Sequence, residues 1–304
     1  MSHTVINLDT RASAESYGAE AKPRVGFFTD TSLCIGCKAC EVACKEWNAV
    51  PASPGGFTGE SYDNTGALGA NSWRHVAFIE QRRRLGVEEA GPGSLVQTAA
   101  LEDLRSRTAI EPRVEDGFRW LMSSDVCKHC TEAACLDVCP TGALFRTEFG
   151  TVVVQEDVCN GCGYCIPACP FGVIDQRHDD GRAWKCTLCY DRLKDDQEPA
   201  CAQACPTASI QFGEHEQLRA RARERVKDLH DQGVPDARLY GEDPGDGVGG
   251  FGAFFLLLDE PEVYGLPPDP LVTTRHLAGT WRAAGLAAVA VAGAIAGAFL
   301  GGRG

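Results

Sequence analysis

The chain has 304 residues, a formal net charge of −13 and 44% hydrophobic residues. These fractions predict a globular protein with a packed core. The acidic balance argues against a nucleic-acid-binding protein, which needs a basic surface to neutralise phosphate. The basic stretches 81–86 and 219–227 are interpreted as solvated surfaces.

Sixteen cysteines are a high number for a chain of this length. The first thirty residues lack the apolar segment of a secretory signal, which disfavours a disulfide-stabilised secreted scaffold. All of the cysteines fall into four groups. The groups are Cys34, Cys37, Cys40 and Cys44; Cys127, Cys130, Cys135 and Cys139; Cys159, Cys162, Cys165 and Cys169; and Cys186, Cys189, Cys201 and Cys205.

The first and third groups have the C-x2-C-x2-C-x3-C spacing of bacterial ferredoxins, in which the fourth cysteine binds a neighbouring cluster. Gly36 and Gly161 precede the second cysteine, where glycine lets the backbone approach inorganic sulfide. Zinc is the alternative, because paired C-x2-C units also form zinc ribbons. However, zinc has no use for the third and fourth cysteines of these two groups. The spacing therefore predicts four [4Fe–4S] clusters.

The predicted fold class is α+β, with two nested bacterial-ferredoxin-like dicluster modules, insertions and one C-terminal transmembrane helix. Short hairpins are expected within 139–154 and 169–186, a strand at 72–80, and an amphipathic helix within 214–233. The expected domains are an N-terminal extension (1–23), module A (24–122 and 183–245, with an insertion at 46–122), module B (123–182), a connector (246–280) and a transmembrane helix (281–302).

Paired ferredoxin modules exchange their fourth cysteines. The second and third groups are close in sequence and can form one pair, so that the first and fourth groups pair around them. Pairing of the groups in sequential order is the alternative. The nested arrangement predicts four ligand sets: set a is Cys34, Cys37, Cys40 and Cys205; set b is Cys44, Cys186, Cys189 and Cys201; set c is Cys127, Cys130, Cys135 and Cys169; set d is Cys139, Cys159, Cys162 and Cys165.

No catalytic residue is predicted, because the sequence contains no nucleophile–base pair, phosphate-binding loop or open metal site. Residues 247–252 match a dinucleotide-binding pattern but precede a strand-like segment rather than a helix. His129 and Lys185 lie beside cluster cysteines, and we expect them to adjust reduction potentials through hydrogen bonding and charge. The chain is therefore expected to be a non-catalytic electron-transfer subunit.

Residues 283–302 are uncharged, and as a helix they would be about 30 Å long, which matches a bilayer core. Trp281 is a plausible anchor at the membrane interface. Gly293, Gly297 and Gly301 form a small-residue surface against which another helix could pack. A membrane span is expected, and a buried helix of a soluble protein is the alternative.

Three cysteine-containing segments, 30–48, 159–172 and 184–207, resemble the iron–sulfur (beta) subunit of respiratory, membrane-bound formate dehydrogenase. Residues 240–270, followed by one span, resemble the same subunit and are more specific than the cysteine motifs. The resemblance covers nearly the whole chain except the N-terminus and about 85–118, where this sequence is longer than the family pattern.

The resemblance implies a molybdopterin catalytic subunit, with molybdenum or tungsten, that oxidises formate to CO2. Electrons would cross the four clusters to a cytochrome b-type membrane subunit and quinone. Module A would face the catalytic subunit and module B the membrane. The expected location is the cell membrane, in contact with lipid, with the soluble part on the outer, periplasmic face. The cytoplasmic face is the alternative.

Two other functions are considered. The chain could be the equivalent subunit of a hydrogenase, or of a polysulfide or tetrathionate reductase, or it could be a free-standing polyferredoxin. The corresponding nitrate reductase subunit characteristically lacks one cysteine of the third group, and all four are present here. The C-terminal span disfavours a soluble polyferredoxin.

Overall fold

The computed structural model describes residues 17, 22–53, 56–60, 62–84 and 116–301. Most of the expected N-terminal extension and most of the segment 85–118 lie outside the described residues. The strands are β1 (Val25–Asp30), β2 (Arg74–Arg84), β3 (Asp116–Val126), β4 (Leu144–Arg146), β5 (Val152–Val154), β6 (Asp175–Gln176), β7 (Ala183–Trp184), β8 (Ile210–Glu214), β9 (Arg238–Tyr240) and β10 (Ala253–Leu257). The α-helices are α1 (Ala39–Trp47), α2 (Ala134–Asp137), α3 (Cys165–Ala168), α4 (Tyr190–Lys194), α5 (Ala200–Gln203), α6 (His215–Asp231) and α7 (Leu277–Gly301).

A four-stranded mixed sheet with the order β8-β1-β10-β9 forms the centre of the core. Strand β1 is antiparallel to β8 and parallel to β10. Phe27, Phe28, Phe254 and Phe255 are fully buried, as expected for short apolar strands covered on both faces. The strand-like character of residues 253–258 was predicted, whereas β1 was not.

The segment 246–280, which the sequence suggested was a connector, contains strand β10. This segment supplies a strand that lies between β1 and β9. It therefore belongs to the same core as the strands that flank the first and fourth cysteine groups.

The two predicted short hairpins are confirmed. Strands β4 and β5 pair around Gly150, which has a φ of 76°, and β6 pairs with β7. The predicted strand at 72–80 is also confirmed, as part of the longer β2. Its antiparallel partner β3 was not predicted.

Helix α6 confirms the predicted amphipathic helix. It buries Leu218, Ala222 and Leu229 against the core, and Gly233, with a φ of 83°, follows its C-terminus. Helices commonly end at a glycine in this left-handed conformation.

Helix α7 has 25 residues. Its segment Gly279–Phe299 has a mean hydropathy of 1.7, and none of it is buried against the rest of the protein. By length and composition, this helix could cross a membrane.

Candidate iron–sulfur centres

The first C-x2-C loop of each cysteine group places the residue before its second cysteine in the left-handed region. These residues are Gly36, His129, Gly161 and Leu188, with φ values of 67°, 45°, 71° and 57°. Left-handed backbone turns the chain sharply, so both cysteines of a loop can face one side. The same local geometry is therefore built four times, twice with glycine and once each with histidine and leucine.

The central sheet brings the first and fourth cysteine groups together. Strand β1 ends four residues before Cys34, β8 begins five residues after Cys205, and Thr29 pairs with Ile210 between them. Helices α1 and α5, which carry other cysteines of the two groups, pack against each other. Helices α2 and α3, which carry cysteines of the second and third groups, also pack against each other.

The four cysteines of set b line one cavity. All four are buried. Trp73, Arg74 and Leu188 complete much of the wall. Cysteines from two distant parts of the chain thus surround one small, largely apolar space.

The four cysteines of set c line a second cavity. Its wall also includes His129, Lys185, Val152 and Ile174. Sets b and c were both expected from the nested arrangement, and the structure gathers each of them around a common space.

Sets a and d are closer to the surface. The Cys34 thiol interacts electrostatically with Cys37 and Cys205. The Cys165 thiol interacts electrostatically with the other members of set d, which are Cys139, Cys159 and Cys162. Cys37 and Cys162 are exposed, and each is the second cysteine of its loop.

The cysteine environment fits iron–sulfur clusters. Burial, reinforced by neighbouring thiols, raises the pKa of Cys186 to about 12. Burial likewise raises the pKa of Cys135 to about 12, although the charge of Lys185 opposes this. Four neighbouring thiolates in a buried space need a cationic partner, which iron provides. A donor set of four thiols is the one that holds a [4Fe–4S] centre.

Electrostatic interactions between cysteines of different sets indicate an order. Cys40 of set a interacts electrostatically with Cys201 of set b. Cys186 of set b does so with Cys127 of set c. Cys135 of set c and Cys165 of set d form the third such link. The sets are therefore neighbours in the order a, b, c, d, with the two exposed cysteines at opposite ends.

Arg74 connects sets a and b from strand β2. Its side chain is buried, Nη2 donates to Sγ of Cys201 at 3.2 Å, and Nη1 donates to the Ser124 carbonyl at 3.1 Å. The Ser124 hydroxyl lies 3.2 Å from Sγ of Cys40. Burial lowers the pKa of Arg74, but the charges of nearby cysteines outweigh it and raise the pKa above the ordinary value. Arg74 is therefore a buried cation beside the thiols.

Two buried lysines lie beside sets b and c. Lys185 Nζ donates to the carbonyls of Val152 and Cys186, the latter at 2.9 Å. Lys128 Nζ contacts Asp125 and donates to the Val126 carbonyl at 2.9 Å. Both ammonium groups are held by backbone oxygens, so they act on the cysteines through charge rather than direct contact.

Sequence reasoning identified His129 and Lys185 by their position next to cysteines but missed Lys128 and Arg74. Lys128 could have been identified in the same way, since it directly follows Cys127. Nothing in the local sequence identifies Arg74, because it reaches the cysteines from a strand between the first two groups.

Two profiles described as 4Fe-4S dicluster domains match the chain, one at residues 118–215 and the other at residues 33–143. Together they include all four cysteine groups. The fold, the sixteen cysteines and these matches define an α+β iron–sulfur protein with two dicluster domains and four [4Fe–4S] clusters.

The formate dehydrogenase iron–sulfur subunit of Haemophilus influenzae is 40% identical over 83% of this chain and 71% of the relative. The formate dehydrogenase-O iron–sulfur subunit of Escherichia coli is 39% identical over 88% of this chain and 79% of the relative. A subunit of the anaerobic dimethyl sulfoxide reductase of Escherichia coli is 34% identical over 64% of this chain and 76% of the relative. The chain belongs to the family of formate dehydrogenase iron–sulfur subunits.

Proposed function

We propose that this chain relays electrons from a formate-oxidising molybdopterin subunit to a cytochrome b-type membrane subunit and quinone. The observation that carries the proposal is the continuous order of the four cysteine sets, with an exposed cysteine at each end. The [4Fe–4S] clusters, when bound, supply the centres that accept and donate single electrons. The relatives are named as subunits of formate dehydrogenases and of a dimethyl sulfoxide reductase.

The proposal includes the nested ligand sets a to d and modules A (24–122 and 183–245) and B (123–182). The pairing of β1 with β8 supports module A, since it joins the segment preceding the first group to the segment following the fourth. The two four-cysteine cavities support sets b and c. Sequential pairing would instead require the first group to share its ligands with the second.

The chain's own residues position the centres and exclude water from the two inner ones. Leu188 is fully buried in the wall of the set b cavity, and Val152 and Ile174 line that of set c. Electrostatic interactions are stronger away from water. The buried charges of Arg74 and Lys185 are therefore well placed to influence the two inner potentials.

We place set a next to the catalytic subunit and set d next to the membrane subunit. Near set a, the side chains of Ile35 and Val42 are 59% and 60% exposed. Near set d, Tyr164 is 62% exposed. Exposed apolar side chains around a centre at the surface suit a protein interface.

The segment that leads into helix α7 supports this orientation. Thr273 donates to the Ala168 carbonyl at 3.3 Å, and Thr274 donates to Asp137 at 2.6 Å. Both acceptors belong to module B. A membrane-spanning α7 would therefore hold module B nearest the bilayer and pack against the membrane subunit. We propose that the soluble part lies on the periplasmic face.

The test is formate-driven cluster reduction in the anaerobically solubilised complex, followed by low-temperature EPR with dithionite as the reference reductant. Four [4Fe–4S] centres reduced by formate would support the proposal. Reduction by dithionite but not by formate in an intact complex would overturn the assignment of a formate-oxidising catalytic partner. Hydrogen, dimethyl sulfoxide, polysulfide and tetrathionate would then be tried as alternative donor and acceptors.

A second experiment tests the membrane anchor. A chain truncated after His276 should leave the membrane fraction on alkaline washing if α7 holds the protein there, and the full chain should remain. The result is read in cells without the membrane subunit, because that partner could retain the truncated chain. Release of both forms would contradict an anchoring role for α7.

A further inference from the structure

The loops of the two inner sets carry different side chains at the same place. His129 in the set c loop and Leu188 in the set b loop each precede the second cysteine, and both have positive φ values. Both are almost completely buried, and each lines the cavity of its own set. The chain thus offers one cavity with an imidazole and an equivalent cavity with an aliphatic side chain.

The hydrogen bonding of His129 defines its tautomer. The backbone N–H of Val152 donates to Nδ1 at 3.1 Å. A ring nitrogen that accepts a hydrogen bond carries no proton, so the neutral ring has its proton on Nε2. The ring is therefore a neutral donor at Nε2.

The Nε2 atom of His129 is buried and has no hydrogen-bond partner among the described residues. Buried N–H groups without an acceptor are rare, because losing the hydrogen bond to water is unfavourable. The cavity that His129 lines is also lined by all four cysteines of set c. An acceptor within that cavity would satisfy the ring.

We propose that Nε2–H of His129 donates a hydrogen bond to a sulfur of the cluster held by set c. This inference rests on the proposed function, specifically on the set c ligands. A donor stabilises the more negative, reduced state, so the hydrogen bond raises the reduction potential of this centre. Set b lacks an equivalent donor at Leu188.

The first test uses the unmodified complex with histidine labelled with ¹⁵N. Pulsed EPR of the reduced centres should show coupling of one cluster spin to a histidine nitrogen and to a proton that exchanges in D2O. Absence of histidine coupling at all four centres would overturn the inference. A count below four [4Fe–4S] centres would overturn the proposed ligand sets and the inference with them, so the two failures are distinguishable.

The second test is His129→Leu, which installs the residue found at the same loop position in set b. The reduction equilibrium of one centre should become about tenfold less favourable, a shift of about 59 mV for one electron, and the labelled coupling should disappear. His129→Asn retains an amide donor and tolerates positive φ, so it should recover part of the shift. The control is His230→Leu. The His230 ring bonds to the Ala237 carbonyl, and its replacement should leave all four potentials unchanged. A His129→Leu complex with four unshifted potentials would contradict the proposal.

Discussion

The outer and inner cluster loops share one backbone conformation but differ in the residue that adopts it. Sets a and d use Gly36 and Gly161, whereas sets b and c use Leu188 and His129. At the outer loops, neighbouring atoms occupy the space that a side chain would need. An added Cβ would lie 2.7 Å from Phe78 at Gly36 and 2.3 Å from the Gly181 carbonyl at Gly161.

At the inner loops the same position carries a large buried side chain that lines the cavity. A positive φ alone therefore does not require glycine at this position, and local packing determines which residue fits. The inner loops gain side chains that exclude water and adjust the charge balance. The outer loops carry no side chain at this position, which leaves Cys37 and Cys162 exposed near the proposed partner surfaces.

The largest expected effect comes from removing the one cysteine that an inner set takes from another cysteine group. Cys44→Ala should remove the set b cluster, reduce iron and acid-labile sulfide by about one quarter, and abolish electron transfer from formate to quinone. Cys169→Ala is the matched variant for set c. Each change removes one ligand from a buried four-thiol site whose binding energy contributes to folding.

Both variants should also lose thermal stability, since each lacks one cluster whose binding energy contributes to folding. Four intact clusters in either variant would contradict the assignment of these ligands.

The next effect concerns the inner side chain of set b. Leu188→Ala makes this loop resemble the outer ones and should destabilise the protein by about 2–5 kcal/mol, because it opens a space in a packed core. Bleaching of the visible cluster absorbance in air or chelator should accelerate. Ile35→Ala, at an exposed position beside set a, should change it little. Similar bleaching rates for the two variants would mean that Leu188 does not seal the cavity.

How much of the fold could be predicted from the sequence depends on how far apart in the chain the interacting residues lie. The hairpins around Gly150 and Gly181 and helix α6 were predictable, because turn residues and helical periodicity are local. Strand β1 was not, since four of its six residues pair with β10 more than two hundred residues later. No local pattern specifies a partner at that distance.

The residues of the candidate site also divide into those that local sequence predicts and those that only the fold brings to the site. The cysteine groups were predictable because cluster ligation requires fixed short spacings, and His129 and Lys185 were predictable because they adjoin cysteines. Arg74 reaches Cys201 only because β2 folds over the first group. The tautomer of His129 likewise depends on an amide in β5, which sequence reasoning could not place.

Arg74 distinguishes the two inner sets by charge. Arg74→Gln removes a charged hydrogen bond to Cys201, worth about 1.5–3 kcal/mol. If that energy favours the reduced state, the set b potential should fall by about 65–130 mV, at 1.36 kcal/mol and 59 mV per tenfold change. EPR-monitored redox titration measures the shift. Arg238→Gln, at a surface ion pair with Glu260, is the control, and equal potentials in both variants would exclude a role for Arg74 in set b.

The smallest expected effect tests the outer loops directly. Gly161→Ala and Gly163→Ala place the same methyl group at nearly equal φ values of 71° and 73°. At Gly163 the nearest atom to the new Cβ is Ile166 Cδ1 at 3.8 Å, whereas at Gly161 the Gly181 carbonyl must move. Both variants bear the left-handed strain of about 1–2 kcal/mol, and displacing the carbonyl adds about 1 kcal/mol at Gly161. The set d cluster should therefore be lost faster in Gly161→Ala than in Gly163→Ala under chelator. Equal rates would mean that backbone strain, and not the missing space, keeps glycine in the outer loops, although Leu188 and His129 tolerate the same strain in the inner ones.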